Sequence, residues 1–426
     1  MELNHCTAGE FARLDAGKRK SVALAEACLA RIDSRDKDVQ AWAHIDPEHV
    51  LEQARARDRE SPRSALHGVP VAVKDVIDTR DLPTEYGSPI YAGHRPKADA
   101  ACVALLRQAG AVILGKTVTV ELAAFHWART RNPHNLGHTP GGSSSGSGAA
   151  VGDFMAPLAL GTQTGGSTIR PAAYCGIVGY KPTFNLINRA GMKPLAESQD
   201  TVGLMARSVP DVAQMISVLA GCTVPDFDRK DLSPPRVGVC AMKGWPTKLH
   251  PAMARAMEDG AARIARSGAR AREVLLPQPF EPLFVAQRKM NDYEAWHALS
   301  DERTYHPDQL SSSLSARMKE AAQCTYGQYR EAQAVVSRFR SALNGLFADY
   351  DVLVTPTVPD EAPPGLENTG DSTFIRIWTA LHTPTLNLPV FKGEKGLPMG
   401  LQVIGPIGDD ERTLAYAEWL YRTLTA

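Results

Sequence analysis

The 426-residue sequence offers little that would hold a highly charged or membranous partner. Lys and Arg together number 47, and so do Asp and Glu, leaving a formal net charge of zero. Without a net field the chain has no long-range means of attracting DNA, RNA or an anionic bilayer. This argues against nucleic acid and membrane as partners.

Cysteine is sparse: Cys6, Cys28, Cys102, Cys175, Cys222, Cys240 and Cys324 are scattered, with no C-x-x-C and no zinc-like pairing. An odd, dispersed set speaks against a disulfide framework and fits a reducing compartment. Long apolar runs are missing too. The longest, around Ala149 to Leu160, is interrupted by Asp153 and Pro157, well short of the ~20 residues a membrane-spanning helix needs. Met1-Glu2-Leu3-Asn4-His5 carries no basic stretch followed by an apolar run, so no signal peptide is expected. The expectation is a soluble, cytoplasmic, globular enzyme.

What is present is a chain able to bury a sizeable core, with 43% hydrophobic and 22% charged residues. Its length allows two or three domains, or one large α/β unit, at roughly 100–200 residues per domain. Residues 21–33 place Val22, Ala25, Leu29 and Ile32 at helical spacing. In Gly68-Val69-Pro70-Val71-Ala72-Val73-Lys74-Asp75 the alternating β-branched residues predict a short strand whose end presents Lys74 and Asp75. A helix over 99–109, with Asp99 as its N-cap, then leads to a buried strand at Ala111–Gly115. Strand, helix, strand in that order predicts a βαβ unit and a partly parallel sheet.

Further on, a helix follows Pro210, and Val237–Val239 and Val274–Leu276 read as strands around a helix at 250–267. Residues 284–348 read as mostly helical, and strand returns at Asp351–Pro356. One α/β domain spanning 1–426, with a helical excursion at about 281–348, is the organisation expected.

Residues 137–183 carry the candidate chemistry. Two Gly/Ser runs, Thr139–Gly148 and Gly161–Ser167, flank segments such as Met155–Leu160 that demand burial. Ordered tight turns therefore fit better than a flexible tether. The G-x-S-x-G match centred on Ser144 lacks the preceding strand that a nucleophile elbow requires. His134 and His138 stand four apart, but Pro133, Gly137 and Pro140 break any helix that would align them on a metal. The run ending at Ser167 lacks the Gly-Lys-Ser/Thr of a phosphate loop.

Lys74, Ser143 and Ser167 are each ordinary alone: a surface lysine with its head in water, and two turn serines. Together they suggest a serine activated by a neutral lysine, with a second serine relaying the proton. The free lysine pKa of about 10.4 must then be depressed by desolvation or nearby positive charge. Backbone N–H groups of a Gly-Gly turn can face the oxyanion.

The segment Gly68–Asp75, the loop Gly141-Gly142-Ser143-Ser144-Ser145-Gly146 and the block Gly161–Ser167 resemble the three ordered motifs of the amidase signature family. Within and beyond the last motif, Arg170-Pro171, Cys175-Gly176 and Gly179–Thr183 fit the same pattern, as do Val354–Thr357 and Leu397–Gln402. The resemblance covers about residues 20–420 and is least diagnostic over 225–345.

It implies an α/β amidase signature fold, a large mixed β-sheet flanked by helices on both faces, with the catalytic core at about 65–225. It further implies Ser167 as acyl-forming nucleophile, Ser143 as bridging serine entered through a cis peptide, and Lys74 as general base. The backbone N–H groups of Thr164, Gly165, Gly166 and Ser167 would form the oxyanion hole. The implied reaction hydrolyses a small-molecule amide through an acyl-enzyme to a carboxylate plus ammonia or an amine. No metal or organic cofactor is implied, and a homodimer is possible at the level of the family.

Two departures stand out. Gln163 replaces an Asp common in the family, including the glutamine-hydrolysing subunit of tRNA-dependent amidotransferases. Arg170 lies three residues after Ser167 rather than two. Both make the chain more similar to malonamidase-like stand-alone hydrolases; the alternative is the glutamine-hydrolysing role within an amidotransferase complex. Arg170 either pairs with a substrate carboxylate through its guanidinium fork or bonds loop carbonyls. Tyr91, Phe125, His126, Trp127 and Trp378 are aromatic candidates for pocket walls or core, and part of 284–330 is expected to shape the pocket.

Overall fold

The strand at Lys74 is flanked on both sides. In the computed structural model, which describes residues 2–14, 20–124, 128–229 and 233–426, it is an inner strand of an eleven-stranded sheet. The strands are β1 (Trp42–His44), β2 (Pro70–Lys74), β3 (Val112–Thr117), β4 (Leu158–Gln163), β5 (Val178–Lys181), β6 (Thr201–Ala206), β7 (Arg236–Cys240), β8 (Arg270–Val274), β9 (Val352–Pro356), β10 (Thr385–Lys392) and β11 (Pro398–Ile404). Their spatial order is β1-β3-β2-β4-β6-β5-β10-β11-β9-β7-β8. β2 runs parallel to β3 and β4, β7 runs parallel to β8 and β9, and the other pairs are antiparallel. The mixed sheet with intervening helices is the α/β architecture expected, and β2, the helix Ala101–Gln108 and β3 form the βαβ unit.

Parallel strands are covered on both faces, and β2 obeys: Val71, Ala72, Val73 and Lys74 are all 0% exposed. The ordinary reading of Lys74, a stem on the surface with its head in water, therefore fails. The alternation of valines reported a strand but not which faces were wet.

The Gly/Ser run 143–148 is interior as well, and from Ser145 it becomes the buried helix Ser145–Gly152. Small residues let this helix sit close to its neighbours: Ser147 Oγ donates to Leu160 O at 2.9 Å, and Gly146 N to Val118 O at 2.9 Å.

Three local expectations need correcting. The helix at 101–108 has Ala100 at its N-cap without a side-chain bond, because Asp99 instead accepts from Arg80 N (3.0 Å) and Arg107 Nε (3.1 Å). The strand expected to start at Val274 ends there: Leu275 is 53% exposed and lies beyond the pairing with β7. The first long helix runs on to Val39 rather than stopping at 33.

The excursion consists of the helices Glu281–Ala298, Ser300–Tyr305, Ser312–Ala321 and Tyr326–Asp349. Its apolar side joins a second core of Trp245, Phe280, Phe284, Leu343, Phe374 and Trp378, separate from the main sheet core. Trp378 is fully buried there, so it is core rather than pocket wall. Among the described residues no helix is long and apolar enough to cross a membrane.

Candidate active site

Two lysines enter the interior from adjacent strands, and their surroundings differ. Lys116 on β3 has a carboxylate: its Nζ lies 3.4 Å from Asp75 and donates to Ile77 O at 2.8 Å. Lys74 on β2 has only hydroxyls, Ser143 Oγ at 2.8 Å and Thr162 Oγ1 at 2.7 Å. Desolvation without a paired anion disfavours the ammonium form. Burial accordingly holds Lys74 well below its ordinary pKa, with the more distant Asp200 charge pulling weakly the other way. Asp75, the neighbour of Lys74 in sequence, belongs to Lys116.

The first serine loop is locked to this lysine. The Gly142–Ser143 peptide is cis. Ser143 O accepts from Val120 N at 3.2 Å, and Ser144 N donates to Ser167 O at 3.1 Å, joining the two serine loops directly. Ser144 is fully buried, and its Oγ is held by both the N–H and the carbonyl of Thr162, each at 3.2 Å. A Cβ on Gly161 would stand 2.9 Å from that Oγ, so only glycine permits the approach. Ser144 is thus a clamp, which removes the G-x-S-x-G reading.

The second loop presents donors. Gly165 O accepts from Thr379 Oγ1 at 2.6 Å, Gly166 O from Arg170 N at 2.9 Å, and Ser167 O from Ser144 N. With the carbonyls engaged behind the turn, the N–H groups of Gly165, Gly166 and Ser167 donate to no group among the described residues. Half-buried Ser167 borders a cleft of about 300 Å³, which Thr164, Gly165 and Gly166 also line.

Gln163 keeps this turn in place. Its Oε1 accepts from Thr168 N (2.9 Å) and Ile169 N (3.0 Å), while its Nε2 donates to Thr379 Oγ1 (2.9 Å), the same hydroxyl that holds Gly165 O. The amide oxygen does an anchoring job that a carboxylate can also do, so the departure from Asp leaves the turn intact. Thr164 Oγ1 donates to Asp200, which also accepts from Leu195 N (2.8 Å) and Ala196 N (3.0 Å). Burial lifts the Asp200 pKa to about 6 despite these donors.

Arg170 borders the same cleft, with its fork spread over backbone: Nε and Nη2 donate to Gly142 O (3.1 and 2.7 Å) and Nη1 to Gly370 O. Of the two roles open to it, this geometry is that of bonding loop carbonyls, and the carbonyl it grips most belongs to the residue preceding Ser143.

The helical excursion supplies Gln287, Arg288, Asn291 and Arg317 to the cleft, as expected of residues 284–330, and the helix Thr373–Ala380 adds Arg376. Tyr91 is not among the wall residues; its hydroxyl donates to Glu302 at 2.7 Å. Phe125, His126 and Trp127 lie outside the described residues. His134 Nε2 meets Cys175 O at 2.9 Å, a loop-fastening contact.

Thr162, Asp200, Thr379 and Arg376 were not singled out from sequence. Arg376 alone left a trace, as one cation within the otherwise apolar Phe374-Ile375-Arg376-Ile377-Trp378.

Known proteins resemble this chain over nearly its whole length. Residues 23–414 match the Amidase family. The sequence is 31% identical to a component of the glutamyl-tRNA(Gln) amidotransferase of Chloroflexus aggregans, covering 100% of this chain and 97% of that one. The fold superposes on a crystallised amidase with a TM-score of 0.89 at 30% identity, covering 98% and 99% of the two chains. It also superposes on the peptide amidase of Stenotrophomonas maltophilia with a TM-score of 0.85 at 30% identity, covering 99% and 97%. The chain therefore belongs to the amidase signature family and is a hydrolase acting on amide C–N bonds.

Proposed function

We propose that this chain is a stand-alone serine amidase that cleaves a small amide through Ser167, Ser143 and Lys74. The observation that carries the reading is a buried lysine amine held 2.8 Å from Ser143 Oγ, with no carboxylate paired to it among the described residues. A neutral amine has two N–H groups and one lone pair. With one N–H donated to Thr162 Oγ1, the lone pair is available to the Ser143 hydroxyl.

Ser167 Oγ attacks the amide carbon as its proton passes to Ser143 and the Ser143 proton passes to Lys74. The oxyanion is received by the N–H groups of Gly165, Gly166 and Ser167, with Thr164 completing the hole. Collapse breaks the C–N bond while the proton returns through Ser143 to the departing nitrogen, releasing ammonia or an amine. Water then attacks the acyl-Ser167 ester by the same relay, and a carboxylate leaves. Arg170 acts in this scheme by fixing the Gly142 carbonyl and so the position of Ser143.

A second reading is favoured by the near full-length match to the amidotransferase component: hydrolysis of glutamine within a complex. Ammonia release from a panel of small carboxylated and neutral amides by the purified chain alone decides between them. Turnover without a partner is expected. Ammonia release from glutamine only in the presence of a partner would overturn the stand-alone reading.

A further inference from the structure

The cleft beside Ser167 is lined by Arg170, Arg288, Arg317 and Arg376, against one carboxylate among the described residues, the exposed Glu367. Three of these arginines are engaged. Arg170 holds the carbonyls of Gly142 and Gly370. Arg288 lies 2.9 Å from Glu320 and 3.7 Å from Asp292, and Arg317 pairs with the same two acids.

Arg376 differs. Its guanidinium makes no hydrogen bond or ion pair among the described residues, and its buried Nε is unpartnered. What it has is the Phe284 ring, 5.6 Å from its Cζ. Asp371, the acid whose field reaches it, is occupied by Thr247 and Thr373. The guanidinium keeps its proton at ordinary pH; its Nε is buried without a partner, which is costly, and the half-buried fork borders the cleft. Burial, joined by the like charge of Arg288, pulls its pKa down against the field of Asp371.

The position is as informative as the vacant donors. Arg376 Cβ lies 3.9 Å from where a Cβ on Gly165 would stand, so its stem rises beside the turn assigned to the oxyanion. Thr379, one helical turn on, holds the Gly165 carbonyl. Asn291 Oδ1, from another wall of the cleft, is also buried and unpartnered. A ligand spanning from Ser167 to Arg376 is short, and one open fork calls for one planar anion.

We propose that Arg376 binds a carboxylate of the substrate, so that the enzyme's substrates are small amides bearing an acid group, such as half-amides of short dicarboxylic acids. This rests on the reading of Ser167 as the catalytic serine, and the test keeps the two apart.

The probes are malonamate, succinamate and glutaramate, each against the neutral amide in which methyl replaces the carboxylate: propanamide, butanamide and pentanamide. The ratio of kcat/KM within a pair, measured on one preparation, is insensitive to partial misfolding. For the best-fitting pair the wild type is expected to prefer the acid by on the order of tenfold to a hundredfold, the range of a charge-assisted hydrogen bond. Arg376→Gln is expected to collapse that ratio to near unity, with the loss in KM, and Arg376→Lys to restore part of it.

Calorimetric binding of succinamate and butanamide to Ser167→Ala gives a readout without turnover. Succinamate is expected to bind more tightly, and to lose that advantage in Ser167→Ala/Arg376→Gln. Turnover abolished by Ser167→Ala but with an acid preference unchanged in Arg376→Gln would overturn the Arg376 assignment and leave the serine reading standing. Turnover that survives Ser167→Ala would overturn the serine reading. Equal binding of the two probes would overturn the carboxylate proposal irrespective of activity.

Discussion

Replacing Gln163 by Leu tests how the turn that carries Ser167 is held. Gln163 is 1% exposed, so its three hydrogen bonds have no competing water. Leucine is of similar volume and leaves no large cavity, but it cannot accept. The N–H groups of Thr168 and Ile169 are then buried without partners, each costing about 1–3 kcal/mol. The total is roughly 2–6 kcal/mol, a large part of the ~5–15 kcal/mol that typically holds a domain together. The assay is equilibrium denaturation in urea, comparing midpoints at unchanged slope, alongside ammonia release. Gln163→Glu separates the parts. It restores the acceptor for both amides, so stability should return most of the way. Its second oxygen competes for the Thr379 hydroxyl, which now donates to Gly165 O at 2.6 Å. Turnover in the Glu variant should therefore stay below wild type by on the order of tenfold, as the oxyanion turn loosens. A Leu variant within about 0.5 kcal/mol of wild type, the range of an inconsequential substitution, would refute the reasoning. So would a Glu variant no more stable than Leu.

Other outcomes follow from the same geometry. Because burial lowers the Lys74 pKa and the proposed relay works through the neutral amine, kcat/KM should rise with pH on its acid limb, with an apparent pKa well below the free lysine value. Between that lowered pKa and 10.5 the unfolded chain binds the extra proton, so wild-type stability climbs with pH there. Lys74→Met should lack that climb, unfold later than wild type at the low-pH end of the window, and lose turnover by at least ~10²–10⁴-fold. A Met variant with the wild-type pH slope of stability would contradict the assignment. Asp200→Asn removes the anion that favours protonated Lys74, and should move the acid limb of kcat/KM to lower pH. A shift to higher pH would show that the limb belongs to another group. Gly203→Ala would place a Cβ 2.1 Å from Thr168 Oγ1 and 2.8 Å from Thr168 Cβ, so no rotamer of Thr168 escapes it. A loss of about 1–3 kcal/mol is expected, together with reduced turnover because Thr168 adjoins Ser167.

The local pattern announced β2, the helix at 101–108 and β3 correctly, since β-branched alternation and helical spacing are properties of the segment itself. The burial of Lys74 is a property of β3 and β4 flanking it, and valine alternation is the same for a half-buried strand. Asp99 fitted the position of an N-cap, but Arg107 on that very helix and Arg80 claim it in the fold. The motif resemblance led to Lys74, Ser143 and Ser167, and the fold brings the lysine to one serine and one serine loop to the other. The turn's supports stayed hidden because they are remote: Thr379 lies 216 residues from Gln163, and Asp200 lies 36 from Thr164. Arg170 shows the limit from the other side, since spacing placed it at the site and only coordinates could show that its fork meets carbonyls.

The central claim is that Ser167 is the attacking group and Ser144 a clamp. Ammonia release from one good amide substrate, measured for wild type, Ser167→Ala and Ser144→Ala, tests it most directly. Turnover is predicted to disappear in Ser167→Ala and to persist, reduced, in Ser144→Ala. Turnover retained by Ser167→Ala and lost in Ser144→Ala would contradict it.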